Sequence, residues 1–160
     1  TASVLWQGSG RSEQPDQTEG LHSLITTPLI IGDHVYGVGS YGELRGLDAR
    51  TGERLWMSEQ MTVQARWGAA FLVRHDDRYF VNNDAGDLII AQFTPDGYVE
   101  LDRTHLIDAD GSSGALVRGR PGRFERAINW THPAYANKHI VHRNNTEIIR
   151  ASLDANDYSR

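Results

Sequence analysis

The chain has 160 residues, enough for one domain with a real core, and its 39% hydrophobic and 23% charged residues are the mix of a globular protein. A net charge of −5, with 15 scattered arginines among 16 basic residues, argues against a nucleic-acid footprint. The lack of cysteine excludes disulfides, thiolate chemistry and Cys-based zinc sites, and no apolar run approaches the roughly 20 residues of a membrane span.

Short strands are predicted throughout. Ile25 to Ile31 is an apolar, β-branched run broken by Gly32-Asp33, and His34 to Val38 follows as a second strand. Gly39-Ser40-Tyr41-Gly42 turns the chain into Glu43 to Asp48, and Thr51-Gly52 turns it into Glu53 to Met57. The order recurs with Trp67 to Arg74, Arg78 to Asn82, Asp87 to Phe93 and Tyr98 to Leu101. A third copy opens at Trp130-Thr131-His132-Pro133-Ala134, continues through His139 to His142 and Glu147 to Leu153, and shows no clear fourth strand. Tight Gly/Asp turns between short strands describe an up-and-down meander.

The copies superpose. Tyr41-Gly42-Glu43-Leu44-Arg45-Gly46-Leu47 matches Ala85-Gly86-Asp87-Leu88-Ile89-Ile90-Ala91 and, more loosely, Asn145-Thr146-Glu147-Ile148-Ile149-Arg150-Ala151. Gly46 and Ala91 lie 45 residues apart, Ala91 and Ala151 lie 60 apart, and a Gly-, Ser- and Arg-rich stretch absorbs the difference as an inserted loop, 104–126. The opening Thr1-Ala2-Ser3-Val4-Leu5-Trp6 aligns with Thr51-Gly52-Glu53-Arg54-Leu55-Trp56. A period of about 45 residues with four strands per unit is the signature of β-propeller blades, which bury both sheet faces against their neighbours. Leu29-Ile30-Ile31 and Leu88-Ile89-Ile90 meet that demand on both faces. An antiparallel sandwich would have no reason to repeat its turn chemistry at a fixed period. The predicted fold is all-β, a propeller fragment of about three four-stranded antiparallel blades plus one leading strand. Residues 1–7 are the last strand of a preceding blade, 21–58 and 67–103 are blades, and 127–155 is an incomplete blade. Because the chain opens on Thr1 rather than Met, a processed or truncated N-terminus is expected.

Gly46-Leu47-Asp48-Ala49-Arg50-Thr51-Gly52-Glu53-Arg54-Leu55-Trp56 resembles the tryptophan-docking motif of the pyrroloquinoline-quinone-like (PQQ-like) propeller repeats. Their pattern is a small residue, Asp two on, Gly four further and Trp four after that. Asp48, Gly52 and Trp56 match, with Gly46 where Ala is usual. Asp48, Thr51 and Gly52 are expected to close a tight turn, and Trp56 to lie against the next blade, burying on the order of 200 Å². The second copy keeps only Ala91 and Gly97, with Phe93 for the Asp and Leu101 for the Trp; the third displaces its Asp to Asp154. Trp130 to Asn137 resembles the last blades of bacterial members. Those members include an outer-membrane assembly lipoprotein, a periplasmic scaffold, which implies an extracytoplasmic, protein-binding role.

The resemblance also raises a quinone- and calcium-dependent dehydrogenase as the alternative function. No Asp/Glu/Asn set can be assigned to its calcium site by motif, so no catalytic residue, cofactor or metal is assigned. His139 and His142 stand three apart on a strand and so point to opposite faces. His132 reads as a core or axis histidine, and His22, His34, His75 and His105 sit singly. Asp108-Ala109-Asp110-Gly111 lacks the downstream Glu of a calcium loop, and Ser112-Ser113-Gly114 has no nearby base. Arg118, Arg120, Arg123 and Arg126, within nine residues of the inserted loop, are the candidate interaction patch for an acidic partner. The expected function is a non-catalytic scaffold or binding module of an exported bacterial protein, its protein partner unidentified. The fourth strand at Ser3 to Gln7 and the third blade without one invite pairing with each other, within a chain or between two.

Overall fold

The structure, a computed structural model, describes residues 1–8, 10–113 and 125–158. It is built from antiparallel sheets in sequence order. The first blade orders β1 (Leu29–Ile31), β2 (His34–Val38), β3 (Leu44–Asp48) and β4 (Arg54–Ser58) side by side. The second does the same with β5 (Ala70–His75), β6 (Arg78–Asn83), β7 (Asp87–Thr94) and β8 (Gly97–His105). A hairpin of β9 (Gly111–Ser113) and β10 (Arg126–Ile128) follows, then a three-stranded blade of β11 (Ala134–Ala136), β12 (His139–Arg143) and β13 (Ile148–Ser152). A short 3-10 turn, Ala155–Tyr158, ends the described chain.

The register carries the repeat. Val35 pairs with Leu47, Tyr79 with Ala91 and Ile140 with Ala151, so these positions are equivalent in the three blades, and Gly46, whose partner is Tyr36, corresponds to Ile90, whose partner is Phe80, rather than to Ala91. The core lies between the first two: Tyr36, Val38 and Leu44 from one sheet meet Ala70, Tyr79, Val81, Ile89 and Phe93 from the other, with Met61 of the connecting segment between them. Burial of this apolar surface is the main stabilising term, about 25 cal/mol per Å² removed from water.

Four expectations change. The first strand begins at Leu29, not Ile25, because Pro28 has no N–H to offer a ladder and Leu21 already packs over Gly37. Ile30 is 74% exposed, so the apolar run Leu29-Ile30-Ile31 is not buried on both faces, whereas Leu88 and Ile89 are buried. Both ends of the stretch 104–126 are strand: Thr104 and His105 pair with Leu88 and Asp87, and β9 pairs with β10. Ser3 to Gln7 forms no strand and pairs with neither β13 nor any other strand among the described residues; Val4 and Leu5 are exposed, and Trp6 is engaged against the first blade. A fourth strand needs the third strand of its own sheet as a template, and residues 1–8 meet none among the described residues.

Candidate interaction surface at the blade seams

Each blade closes the exit of its third strand with a side-chain cap on a tight turn. In the first, Asp48 Oδ1 accepts the N–H groups of Arg50 (2.7 Å) and Thr51 (3.0 Å), and these bonds hold its carboxyl below the usual carboxylate range. Thr51 Oγ1 accepts the Glu53 N–H, and Gly52 takes a φ of 76°, where a side chain is strained and the Trp6 ring leaves no room for one. In the second blade Gln92, not Phe93, holds the register place of Asp48, Phe93 turns into the core, and the cap moves two residues on. Thr94 Oγ1 accepts the N–H groups of Asp96 (3.2 Å) and Gly97 (3.1 Å). The third blade uses that same shifted position: Asp154 Oδ1 accepts the Asn156 N–H, and Oδ2 accepts from Lys138 Nζ at 2.7 Å.

The seam between the first and second blades is aromatic. The Trp56 indole lies over Gly46, where a Cβ would stand 2.4 Å from Trp56 Cε2, and stacks on Tyr36 with ring centroids 5.8 Å apart. Its N–H donates to the Thr94 carbonyl of the second blade at 3.0 Å. Phe93 packs against Tyr36 at 5.5 Å and Tyr79 at 4.2 Å, and Ala91 is fully buried beneath them. Trp6 makes the same bond one blade earlier, donating to the Ala49 carbonyl at 2.8 Å. Leu101, expected at the Trp position of the second copy, is instead the extra residue of a β-bulge between Ile90 and Ala91, as Leu55 is of the bulge between Gly46 and Leu47, so Asp102 holds the place of Trp56 and Leu101 is 45% exposed. It docks against nothing comparable.

The seam between the second and third blades is polar instead. Fully buried Asp84 accepts the Ala69 N–H at 3.0 Å and forms a 2.6 Å ion pair with Arg126, while its carbonyl accepts the Asn129 N–H. Tyr135 donates its hydroxyl to buried Asn82 Oδ1 and stacks on Phe80 at 5.2 Å, and Phe71 meets His132 at 4.4 Å. Burial pushes the Tyr135 phenol upward. Asn83 and Asn144 are matched caps: each Oδ1 accepts two N–H groups of the following turn, Ala85 and Asp87 in one blade, Thr146 and Glu147 in the next. Asp110 accepts the Asn145 N–H and the Thr146 hydroxyl, so the acidic turn after β8 fastens the second blade to the third. On the side of the hairpin turns, a cavity of about 270 Å³ opens between the blades, walled by His75, Phe80, Tyr135, His139 and Leu153.

This arrangement corrects the reading of Arg126. Its guanidinium is turned inward onto Asp84, because a carboxylate with no exposure requires a cation. Arg118, Arg120 and Arg123 lie outside the described residues. A second inward arginine gave no sequence signal beyond the alternation Glu43-x-Arg45. Arg45, fully buried beside Glu43 (3.2 Å), donates to the carbonyls of Thr18, Gly20 and Pro15 and clasps the 15–20 segment to the first blade. Burial raises the Glu43 carboxyl above the usual carboxylate range. His139 meets Arg150 and the Asn137 carbonyl, His142 meets the Thr131 carbonyl with His132 nearby, and His105 bridges Asp87 and Asp108. Among the described residues no three His, Asp or Glu side chains converge as a metal site.

Residues 1–93 and 22–117 match the family model described as outer membrane protein assembly factor BamB. The chain belongs to this family of PQQ-like propeller repeats. It is 31% identical over 130 residues, 79% of its length, to the outer membrane protein assembly factor BamB of Salmonella typhimurium. It spans about a third of that relative, 31% of its length. Among solved structures, the quinohemoprotein alcohol dehydrogenase of Comamonas testosteroni aligns with 77% of the chain and 17% of its own, at 16% identity and a TM-score of 0.48. Within this BamB-like chain, the blade that carries the full motif welds itself to the next through Trp56, and the blade that departs from the motif uses polar clasps.

Proposed function

We propose that the chain is part of a non-catalytic β-propeller scaffold that binds other proteins in the extracytoplasmic space of a bacterium. The membership of a BamB-described family over residues 1–117 carries this reading. The geometry supports it, because the acidic side chains that could attract chemistry are committed to the frame: Asp48 and Asp154 to turns, Asp84 to Arg126, Asp110 to the third blade and Glu43 to Arg45. Carboxylates already held by N–H groups and guanidinium are poor recruits for a cation or a proton transfer. What remains on offer is shape, the blade seams and the turn faces on either side of them.

The test places the chain, cross-linker-labelled on its two turn faces, in envelope extract of the Salmonella relative's host. Stoichiometric cross-linking to a defined protein supports the scaffold. A parallel titration with pyrroloquinoline quinone and Ca²⁺ reads thermal unfolding and dye reduction. Saturable quinone stabilisation with dye reduction, and no protein cross-link, would overturn it.

A further inference from the structure

The cavity between the second and third blades exists because two rings are missing there. At the first seam Phe93 fills the space beside Tyr36, and the Trp56 indole covers it. At the second seam Phe80 holds the place of Tyr36, the equivalent of Phe93 is Leu153, two residues after Ala151 as Phe93 is two after Ala91, and the equivalent of Trp56 is Asp102, which pairs with Ile90 as Trp56 pairs with Gly46. The rings that remain are already ordered for a further one. His75 stacks on Phe80 at 5.5 Å and 14°, and Phe80 stacks on Tyr135 at 5.2 Å and 9°. The rim is basic. Lys138 is 68% exposed with one of its three donors on Asp154 and Asp157 nearby, Arg150 Nη2 sits on His139 Nε2 at 2.9 Å, and the described wall residues include no carboxylate. Two successive residues with positive φ, Asn137 and Lys138, make the tight turn that holds Lys138 at this edge.

We propose that this cavity receives one aromatic side chain of a partner polypeptide, the ring entering beside Phe80 and Tyr135 while an adjacent acidic residue of the partner meets Lys138. The proposal rests on the scaffold reading and names the chemistry its partner would carry. An aromatic side chain has the size and the flat faces of the rings that the first seam contains and the second lacks, and buried aromatic anchors dominate binding energy at protein interfaces. The charge of Lys138 selects what flanks the ring.

The probe is the blocked tripeptide acetyl-Asp-Trp-Asp-amide, titrated into the isotope-labelled chain by amide NMR, with acetyl-Ala-Trp-Ala-amide as its uncharged counterpart. Saturable shifts are expected at Phe80, Ala136, Lys138 and His139. Leu153→Phe supplies the missing ring from within and is expected to weaken binding about tenfold or more. Ala136→Leu at the exposed rim reads the same blockade if the first variant fails to fold. Lys138→Gln is expected to weaken the acidic peptide about threefold and leave the uncharged one unchanged. No saturable shift, equal binding to a well-folded Leu153→Phe chain, or equal affinity for the two peptides would overturn the proposal. If the envelope cross-link to a defined protein persists in that case, only the cavity falls and the scaffold stands.

Discussion

The indole N–H of Trp56 donates to the carbonyl of Thr94 across the seam between two blades, and the carbonyl of Ala49 accepts the indole N–H of Trp6 in the same way. The motif is therefore a bond as well as a packing contact: a tryptophan reaches a carbonyl at the end of the third strand of the next blade. That carbonyl sits at the start of the turn that the cap residue closes. Turn and seam are thus one device, and a blade that alters its turn, as the second does with Phe93 and Thr94, changes the seam that it makes.

Removing the Trp56 bond should cost more than its exposure suggests. Trp56→Phe loses the donor and part of the ring contact, an expected destabilisation of about 1–2 kcal/mol, and Trp56→Ala about 3 kcal/mol or more. Urea unfolding checks both, read as a lower midpoint at unchanged slope. A Trp56→Phe chain as stable as the parent would mean that the carbonyl of Thr94 is equally well served by water.

Gly46 makes the opposite prediction from the family pattern, in which alanine is usual. A Cβ at this position would stand 2.4 Å from the Trp56 ring, so Gly46→Ala is expected to destabilise by about 1–3 kcal/mol through overpacking. In a Trp56→Ala background the penalty should largely vanish, which a double-mutant cycle measures as coupling between the two sites. A Gly46→Ala chain that gains stability would show that the indole can shift without loss.

Much of this frame was legible in the sequence, because turns and strands leave local marks. His34 to Val38 is bounded by Gly32-Asp33 and Gly39, and the superposed third-strand positions Leu47, Ala91 and Ala151 coincide with the observed register, whereas the spacing of 45 that joins Gly46 to Ala91 is one residue too long. What was not legible is long-range. Nothing local tells Arg126 that its partner lies 42 residues back at Asp84, or Arg45 that three carbonyls of the 15–20 segment await it. Both read as solvated arginines until the fold closes over them. The cavity was likewise invisible, since it depends on Leu153 standing where the first seam has Phe93, in a space that only the neighbouring blade defines.

The inward role of Arg126 predicts a large asymmetry between single and double changes. Arg126→Met strands the buried Asp84 carboxylate, with an expected loss of about 3–5 kcal/mol. The double change Arg126→Met with Asp84→Asn should recover most of it, because the amide can still accept the Ala69 N–H without a charge to compensate. Equilibrium unfolding of the three variants decides the matter. An Arg126→Met chain of parental stability would return Arg126 to the surface patch.

Acid stability should be governed in part by His142. The ring is buried, and its Nε2–H donates to the Thr131 carbonyl at 3.1 Å, while Nδ1 has no partner. Burial lowers its pKa from the ordinary 6.5, reinforced by nearby His132 and opposed by the Thr131 bond. A histidine with a depressed folded pKa contributes stability that is present above 6.5 and is lost as the pH falls through the folded value, because protonation puts a charge and an unpaired N–H at buried Nδ1. His105 acts with the opposite sign. Asp108 and then Asp87 raise its pKa, so its contribution is present below 6.5 and fades as the pH rises. The expected profile declines on the acid side by up to about 1.4 kcal/mol per pH unit for the one proton at His142. His142→Phe should flatten that acid limb and leave the alkaline side untouched, whereas His105→Asn should do the reverse. Urea unfolding from pH 5 to 8 separates them, and an acid limb that survives in His142→Phe would assign the titration elsewhere.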